Sequence, residues 1–195
     1  MSMNEQSPIQ VTDEINKLIK KNKEDAIVIA IDGRSASGKT TLAKFLSKQY
    51  DCNVFHMDDF FLQPSQRTEK RLAQIGGNVD YERFMQEVLS KVFKKETVIY
   101  RRYLCYKQMI AESEAIPYKP LTIIEGAYSM HPYFKNPYSL RIFMDIDSER
   151  QLEMIAKRNG VDMVDRFKTE WIPKENAYIE AFKIKEACDI CLKQE

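Results

Sequence analysis

Eight consecutive residues, Gly33, Arg34, Ser35, Ala36, Ser37, Gly38, Lys39 and Thr40, restrict what this chain can become more than any other stretch. Two glycines separated by four residues and followed by Lys and then Ser or Thr form the phosphate-binding loop pattern, which has meaning only between a strand and a helix. Both flanks comply. Ala26 to Ile31 is a short apolar, β-branched run that reads as a buried strand, and Thr41, Leu42, Ala43, Phe45 and Leu46 carry helical spacing. Gly33 and Gly38 let the backbone curl so that successive N–H groups point at one phosphate chain, and the next helix adds its positive end. Lys39 is then placed to reach the outer phosphates and the Thr40 hydroxyl to ligate an accompanying magnesium ion. A Gly- and Ser-rich turn opening an ordinary helix would spell similar letters but would not need both flanks.

At 195 residues the chain is long enough for one well-filled core, so a single domain spanning residues 1–195 is expected. Lys plus Arg number 30 against 29 Asp plus Glu, and this near balance provides no global basic field to recommend nucleic acid as a partner. Cys188 and Cys191 spell C-x-x-C without a second pair, in a run that reads as a terminal strand; reduced, structural thiols are expected. No basic segment followed by an apolar one occupies Met1 to Gln10, and no later run reaches membrane-span length, so no membrane partner and a cytoplasmic location are expected.

Thr12 to Lys23 reads as an amphipathic helix through Ile15, Leu18 and Ile19. Asn22, Lys23, Glu24 and Asp25 spell the guanine-reading N-K-x-D pattern, but ahead of the loop instead of after it, and are set aside. Beyond a helix ending near Gln49, Asn53 to Met57 reads as a strand that delivers Asp58 and Asp59 at its carboxyl end, where open α/β sheets place their chemistry. Carboxylates beside bound phosphates supply a general base and a metal ligand. Phe60 to Asn78 loses periodicity, carries Arg67, Lys70 and Arg71, and closes on Gly76 and Gly77, as a binding loop does.

Asp80 then opens a helix over Tyr81 to Phe93, Thr97 to Tyr100 reads as a third strand, and Tyr103 to Tyr118 as a small β-hairpin excursion. Arg101, Arg102 and Tyr103 either line a substrate pocket or form a solvated basic face. Leu121 to Ile124 is a buried strand ending in Glu125, a position that suits a magnesium ligand. His56 and His131 have no evident nucleophile beside them and read as structural. Leu140 to Ile146 is a further strand, Ser148 is placed to cap the helix that follows, and Arg150, Arg158 and Arg166 straddle a break such as a lid near 158–172 would contain. Trp171, Ile172 and Pro173 read as another break, Glu175 to Lys185 as a helix, and Cys188 to Leu192 as the last strand. The expected fold is α/β, a three-layer P-loop NTPase fold on a mainly parallel five-stranded sheet with the hairpin excursion and a short lid.

In this order, the phosphate loop, Asp58 with Asp59, Phe60 and Phe61, the segment Gly77, Asn78, Val79, Asp80, Tyr81, the pair Glu125 and Gly126, and Asp145, Ile146, Asp147 leading into Arg150 resemble the uridine kinase and phosphoribulokinase-like group of small-molecule P-loop kinases from Ala26 onward. The resemblance implies ATP and Mg2+ as cofactors and a small-molecule acceptor, with transfer of the γ-phosphoryl group to a hydroxyl, foremost the 5′-hydroxyl of a nucleoside such as uridine or cytidine. It implies that Asp58 deprotonates the acceptor hydroxyl, that Asp80 holds sugar hydroxyls, that Thr40 and Glu125 share the magnesium, and that Arg158 and Arg166 contact the phosphates. With the loop motif and the residue readings above, the candidate sites are Asp58 and Lys39 as catalytic groups; Gly33, Ser35, Ala36, Ser37, Gly38, Lys39, Thr40, Thr41, Arg158 and Arg166 for the nucleotide; Asp58, Phe61, Asp80, Arg102 and Tyr103 for the acceptor; and Thr40, Glu125 and Asp58 for the metal. It also admits a homo-oligomer. Two departures stand out: Phe61 replaces a usual Tyr, and the arginine-bearing lid is short. Other acceptors, nicotinamide riboside, pantothenate or a sugar phosphate, and a non-catalytic nucleotide-binding module remain as alternative readings, with Arg67, Arg71, Arg101 and Arg102 consistent with an acidic acceptor.

Overall fold

The computed structural model describes residues 6–22 and 25–194, so Lys23 and Glu24 of the discarded N-K-x-D pattern, like Met1 to Glu5, lie outside the described residues. Helix α1 (Gln6–Lys21) leads into β1 (Ile27–Gly33), the phosphate loop and α2 (Lys39–Gln49), then β2 (Cys52–His56). One-turn helices at Met57–Phe60, Pro64–Gln66 and α3 (Glu69–Leu72) follow. The predicted helix after Asp80 is α4 (Tyr81–Phe84), a π-helical stretch at Met85–Leu89, and α5 (Ser90–Phe93). Strands β3 (Val98–Tyr100), β4 (Tyr103–Leu104), β5 (Met109–Ile110) and β6 (Glu114–Ile116) precede β7 (Leu121–Glu125) and β8 (Leu140–Ile146). Helix α6 (Ser148–Asn159), short turns through α7 (Val164–Arg166), a π-helical stretch at Phe167–Trp171, α8 (Ile172–Ala181) and β9 (Ile190–Gln194) complete the chain.

Five strands form one all-parallel sheet in the order β2-β7-β1-β8-β9. Parallel strands bury both faces, which is why every residue of β1 and β7 is buried and β1 is apolar from Ile27 to Ile31. Alternation then sorts the side chains. Ile27, Ile29 and Ile31 of β1 pack with Leu42 and Leu46 of α2 and Ile15 of α1, while Val28 and Ala30 face Phe55, Phe84, Phe143 and Tyr178 on the other side. Because β1 has β7 on one side and β8 on the other, chain connections diverge at its carboxyl end and leave a crevice there. The register sets Glu125 level with both Ile31 and His56, so the loop root and the ends of β2 and β7 meet in that crevice.

Several local expectations are corrected. The strand at Val98–Tyr100 does not join the central sheet; it pairs antiparallel with β6, and inside that ladder β4 pairs with β5, so the excursion is two nested ladders instead of one hairpin. Asp147, not Ser148, precedes the first turn of α6, and no side-chain hydrogen bond caps it. Trp171, Ile172 and Pro173 do not break the helical arm that runs from α6 to the end of α8 (148–181): the π-helical stretch widens the turn ahead of Pro173, where a missing N–H is tolerated, and α8 runs on to Ala181. The terminal strand starts at Ile190, after Cys188 has bonded through its thiol to the Ile184 carbonyl.

No helix among the described residues is long and apolar enough to cross a membrane. Phe143 is fully buried between the sheet and the aromatic layer. Phe143→Ala is therefore expected to cost about 3–5 kcal/mol in urea unfolding; a loss under about 1 kcal/mol would mean that this layer collapses around the gap.

Candidate active site

The loop is held open by its own backbone. Gly33 has φ of 136°, and a Cβ there would lie 2.1 Å from the Met144 carbonyl oxygen of β8, so no other residue fits between the strands. Ala36 takes a left-handed φ of 62°, completing the curl. Gln194 of β9, with its amide oriented to satisfy both ends, donates to the Ala36 and Ser37 carbonyls at 3.0 and 3.1 Å. Lys39 is buried and donates to the carbonyls of Gly33 and Arg34 at 2.9 and 2.7 Å. Thr40 and Thr41 lie exposed at the start of α2.

Under the loop sits Asp32, unmarked by any motif and 1% exposed. It accepts from the Gly33 amide at 2.7 Å, the Met130 amide at 2.9 Å and the Tyr178 hydroxyl at 2.7 Å. Burial raises its pKa, and these donors with Lys39 oppose the rise. Arg34 donates to Asp145 at 3.0 Å and bonds Asn176, while Gln151 donates to the Ser35 carbonyl at 3.0 Å. Ser35 in turn donates its amide to Glu175 at 2.9 Å and its hydroxyl to the same carboxylate.

Across the crevice, Thr40 Oγ1 donates to Glu125 Oε1 at 3.1 Å, and His56 Nδ1 meets that same oxygen at 2.5 Å. The bond to Glu125 raises the His56 pKa, against the burial of the ring. His56 thus belongs to the site and is not a structural strand residue. Glu125 and Thr40 are oxygen donors suited to a hard cation. Among the described residues no three His, Cys, Asp or Glu side chains cluster to hold a metal alone, so phosphate oxygens and water would have to complete that set.

Asp58 and Asp59 share a turn but not an environment. Tyr100 donates its hydroxyl to Asp59 at 2.7 Å, and Arg83 donates to the Asp59 carbonyl at 3.0 Å while stacking on Phe60, which locks the turn. Among the described residues no hydrogen bond or ion pair engages the Asp58 carboxylate. It is exposed to the crevice, and the protein around it raises its pKa; Lys39 and Arg158 oppose this, and Glu125 and Asp59 reinforce it.

The binding loop and α4 enclose a cleft of about 410 Å³ lined by Leu62, Gln66, Arg71, Asp80 and Glu82. Asp80 caps α4, accepting from the Arg83 amide at 3.1 Å and from Gln66 at 2.8 Å. Phe61 bridges Val79 through its backbone, and the Tyr103 hydroxyl accepts from Arg67 at 3.0 Å. Arg102 is exposed, its charge felt at Tyr100. Of the two arginines expected in a lid, Arg158 lies over Phe167 and acts electrostatically on Asp58, whereas Arg166 is engaged locally, paired with Glu170 at 3.2 Å and stacked on Trp171. His131 stacks on Tyr81 and is held below its ordinary pKa by burial.

Sequence reasoning missed Asp32, His56, Arg83, Tyr100 and Glu175 because each acts through a partner remote in sequence. Only His56 left a signal, one residue before the strand-ending turn that carries Asp58.

No family model matches this sequence, and no curated protein matches it. Solved structures do share its fold. A possible uridine kinase from Bacillus stearothermophilus is 19% identical with a TM-score of 0.64, covering 94% of this chain and 99% of that one. A candidate fructose transport system kinase from Silicibacter sp. TM1040 is 18% identical with a TM-score of 0.74, covering 95% and 98%. YFH7 of Saccharomyces cerevisiae, described as a candidate P-loop kinase with a circular permutation, is 13% identical with a TM-score of 0.70, covering 97% and 99%. The chain has the P-loop NTPase fold.

The chain's two histidines should titrate on opposite sides of the ordinary value of 6.5, His56 above it and His131 below it. His56 then contributes stability that is lost as pH rises through its folded pKa, and His131 contributes stability lost as pH falls through its own. NMR titration of the two ring Cε1 protons checks the order, and the reverse order would contradict the Glu125 bond.

Proposed function

We propose that the chain is an ATP- and Mg2+-dependent phosphotransferase that moves the γ-phosphoryl group to a hydroxyl of a small neutral acceptor, foremost the 5′-hydroxyl of a nucleoside. The observation that carries this reading is Asp58: an exposed carboxylate without a structural partner, in the turn just after β2 and within electrostatic reach of Lys39 and Glu125. A carboxylate placed there serves a reactant.

In the proposed reaction the acceptor oxygen forms the new bond to phosphorus, the bond to the leaving diphosphate breaks, and the hydroxyl proton passes to Asp58. A raised pKa suits Asp58 to receive that proton. Since such transition states are loose, positioning and charge stabilisation matter more than base strength, and these fall to the loop amides and Lys39. Thr40 and Glu125 would hold Mg2+, which supplies positive charge to the phosphate oxygens when bound. Arg158 is placed to add charge from the arm.

The neutral acceptor follows from how the arginines are used. Arg71 makes two bonds to Glu82 and two to the carbonyls of Gly77 and Val79; Arg67 is bonded to Leu62 and Tyr103; Arg101 is paired with Glu87. Arg71 and Arg101 are neutralised by carboxylates and Arg67 is engaged by neutral oxygens, while Arg102 stays exposed; the cleft itself is lined by Gln66, Asp80 and the Arg71–Glu82 pair, groups that bond hydroxyls. This weighs against pantothenate or a sugar phosphate. A sugar-type polyol remains a second reading, favoured by the same hydroxyl-binding wall and in keeping with the Silicibacter neighbour.

The test is magnesium-dependent ADP release from ATP across nucleosides, neutral sugars, pantothenate and sugar phosphates. Stimulation by a neutral hydroxyl compound is expected, with Asp58→Asn lowering kcat by about 10²–10⁴-fold at unchanged thermal stability and Lys39→Ala also close to inactive. Wild-type rates in the Asp58 variant, or silence with every acceptor, would overturn the reading.

A further inference from the structure

Glu175 is 6% exposed, and neither the loop motif nor the transfer reaction assigns it a task. It projects from α8 onto the first half of the phosphate loop, where its two oxygens take the Ser35 amide, at 2.9 Å, and the Ser35 hydroxyl. Burial raises its pKa, Lys39 and the Ser35 donors oppose this, and Asp58 reinforces it, so the carboxylate lies within electrostatic reach of both catalytic groups. Next to it, Asn176 takes the Arg34 guanidinium, and Tyr178, one turn on, takes Asp32 under the loop. Lys39 meanwhile is directed back onto the Gly33 and Arg34 carbonyls. The phosphate-binding donors in this half of the loop are therefore met by protein groups, one of them an anion.

A carboxylate that bonds both an amide and a hydroxyl of a phosphate loop satisfies the donors that a phosphate oxygen would use. The two anions repel one another and compete for one donor pair, so phosphate cannot settle on Ser35 without dislodging Glu175. Behind Glu175 the helix is fixed by Tyr178 on Asp32; ahead of it the chain enters α8 through the π-helical Phe167–Trp171, and the outer end there is held by exposed contacts such as Arg166–Glu170.

Building on the kinase reading above, we propose that Glu175 is a phosphate-mimicking latch: it holds the first turn of α8 on the phosphate loop through Ser35, and the outermost phosphate of a bound nucleotide displaces it and frees the segment ahead of Tyr178, which stays anchored on Asp32. The latch discriminates between nucleotides, because a triphosphate must open it whereas a shorter phosphate chain that stops short of Ser35 need not. It also couples nucleotide binding to the placing of Arg158 and Arg166, which lie ahead of α8 on the same arm.

The chain has a single tryptophan, Trp171, four residues before Glu175, edge-to-face with Phe167 and covered by Arg166, so its fluorescence reports this arm alone. Full-length protein and the Glu175→Gln variant would be titrated with inorganic tripolyphosphate, ADP and the non-hydrolysable ATP analogue AMP-PNP, following Trp171 emission and heat, with thermal melting as the folding control. Glu175→Gln is expected to bind AMP-PNP and tripolyphosphate about tenfold more tightly, since the uncharged amide holds Ser35 more weakly and does not repel the phosphate, so less population is spent opening the latch, while ADP affinity moves less than about threefold. In the wild type, AMP-PNP and tripolyphosphate should shift Trp171 emission and ADP should shift it less. Unchanged or weakened triphosphate binding in a folded variant would overturn the latch and make Glu175 a strut that shapes the loop. Should the variant not fold, the wild-type titration decides alone: equal Trp171 responses to ADP and AMP-PNP would overturn it. Failure of every acceptor to be phosphorylated would sink the kinase reading without touching these binding results.

Discussion

The buried carboxylate of Asp32 is the constraint on which the site depends. A charge removed from water at the end of a central strand is tolerated only when donors surround it. Here they come from three places: the amide at the root of the phosphate loop, the amide of Met130 in the turn after β7, and the hydroxyl of Tyr178 on α8. Satisfying one residue thus forces the loop, the β7 turn and the final helix to converge. The same convergence brings Glu175 and Asn176, on the face of α8 that carries Tyr178, against Ser35 and Arg34. The walls of the crevice are a consequence of meeting that charge.

The acidic groups of the crevice are then divided by their partners. Glu125 is shared by Thr40 and His56, Asp59 is tied to Tyr100, Asp80 caps α4, and Glu175 is held by Ser35. Asp58 alone of this set keeps its carboxylate unengaged among the described residues. Adjacent aspartates of identical intrinsic chemistry acquire different surroundings because one is bonded to a phenol and the other is left exposed. Arg83, stacked on Phe60 and bonded behind the turn, keeps the pair in that orientation.

Much of this was legible in the residues. The loop between an apolar strand and a helix, the strand-ending positions of Asp58 and Glu125, and the parallel sheet could be read because they rest on contacts between near neighbours and on periodicities of two and 3.6. The excursion was misread where local alternation could not say which strand is the partner: Val98–Tyr100 has the pattern of a sheet strand, yet pairs with Glu114–Ile116. Pro173 suggested a break because a one-dimensional pattern does not show a π-helical turn that accommodates it.

By itself, then, the sequence determined the phosphate loop, the strand and helix elements that flank it, and which carboxylates stand at strand ends, since all of these follow from local backbone requirements and side-chain alternation. Tertiary structure alone decided that His56 joins Glu125, that Tyr178 meets Asp32, and that Glu175 sits on Ser35. These pairs lie 69, 146 and 140 residues apart, and only the order of strands in the sheet and the return of α8 over the loop bring them within bonding distance. Charge partners and burial, unlike periodicity, are properties of the folded surroundings and leave no mark on the chain that precedes them.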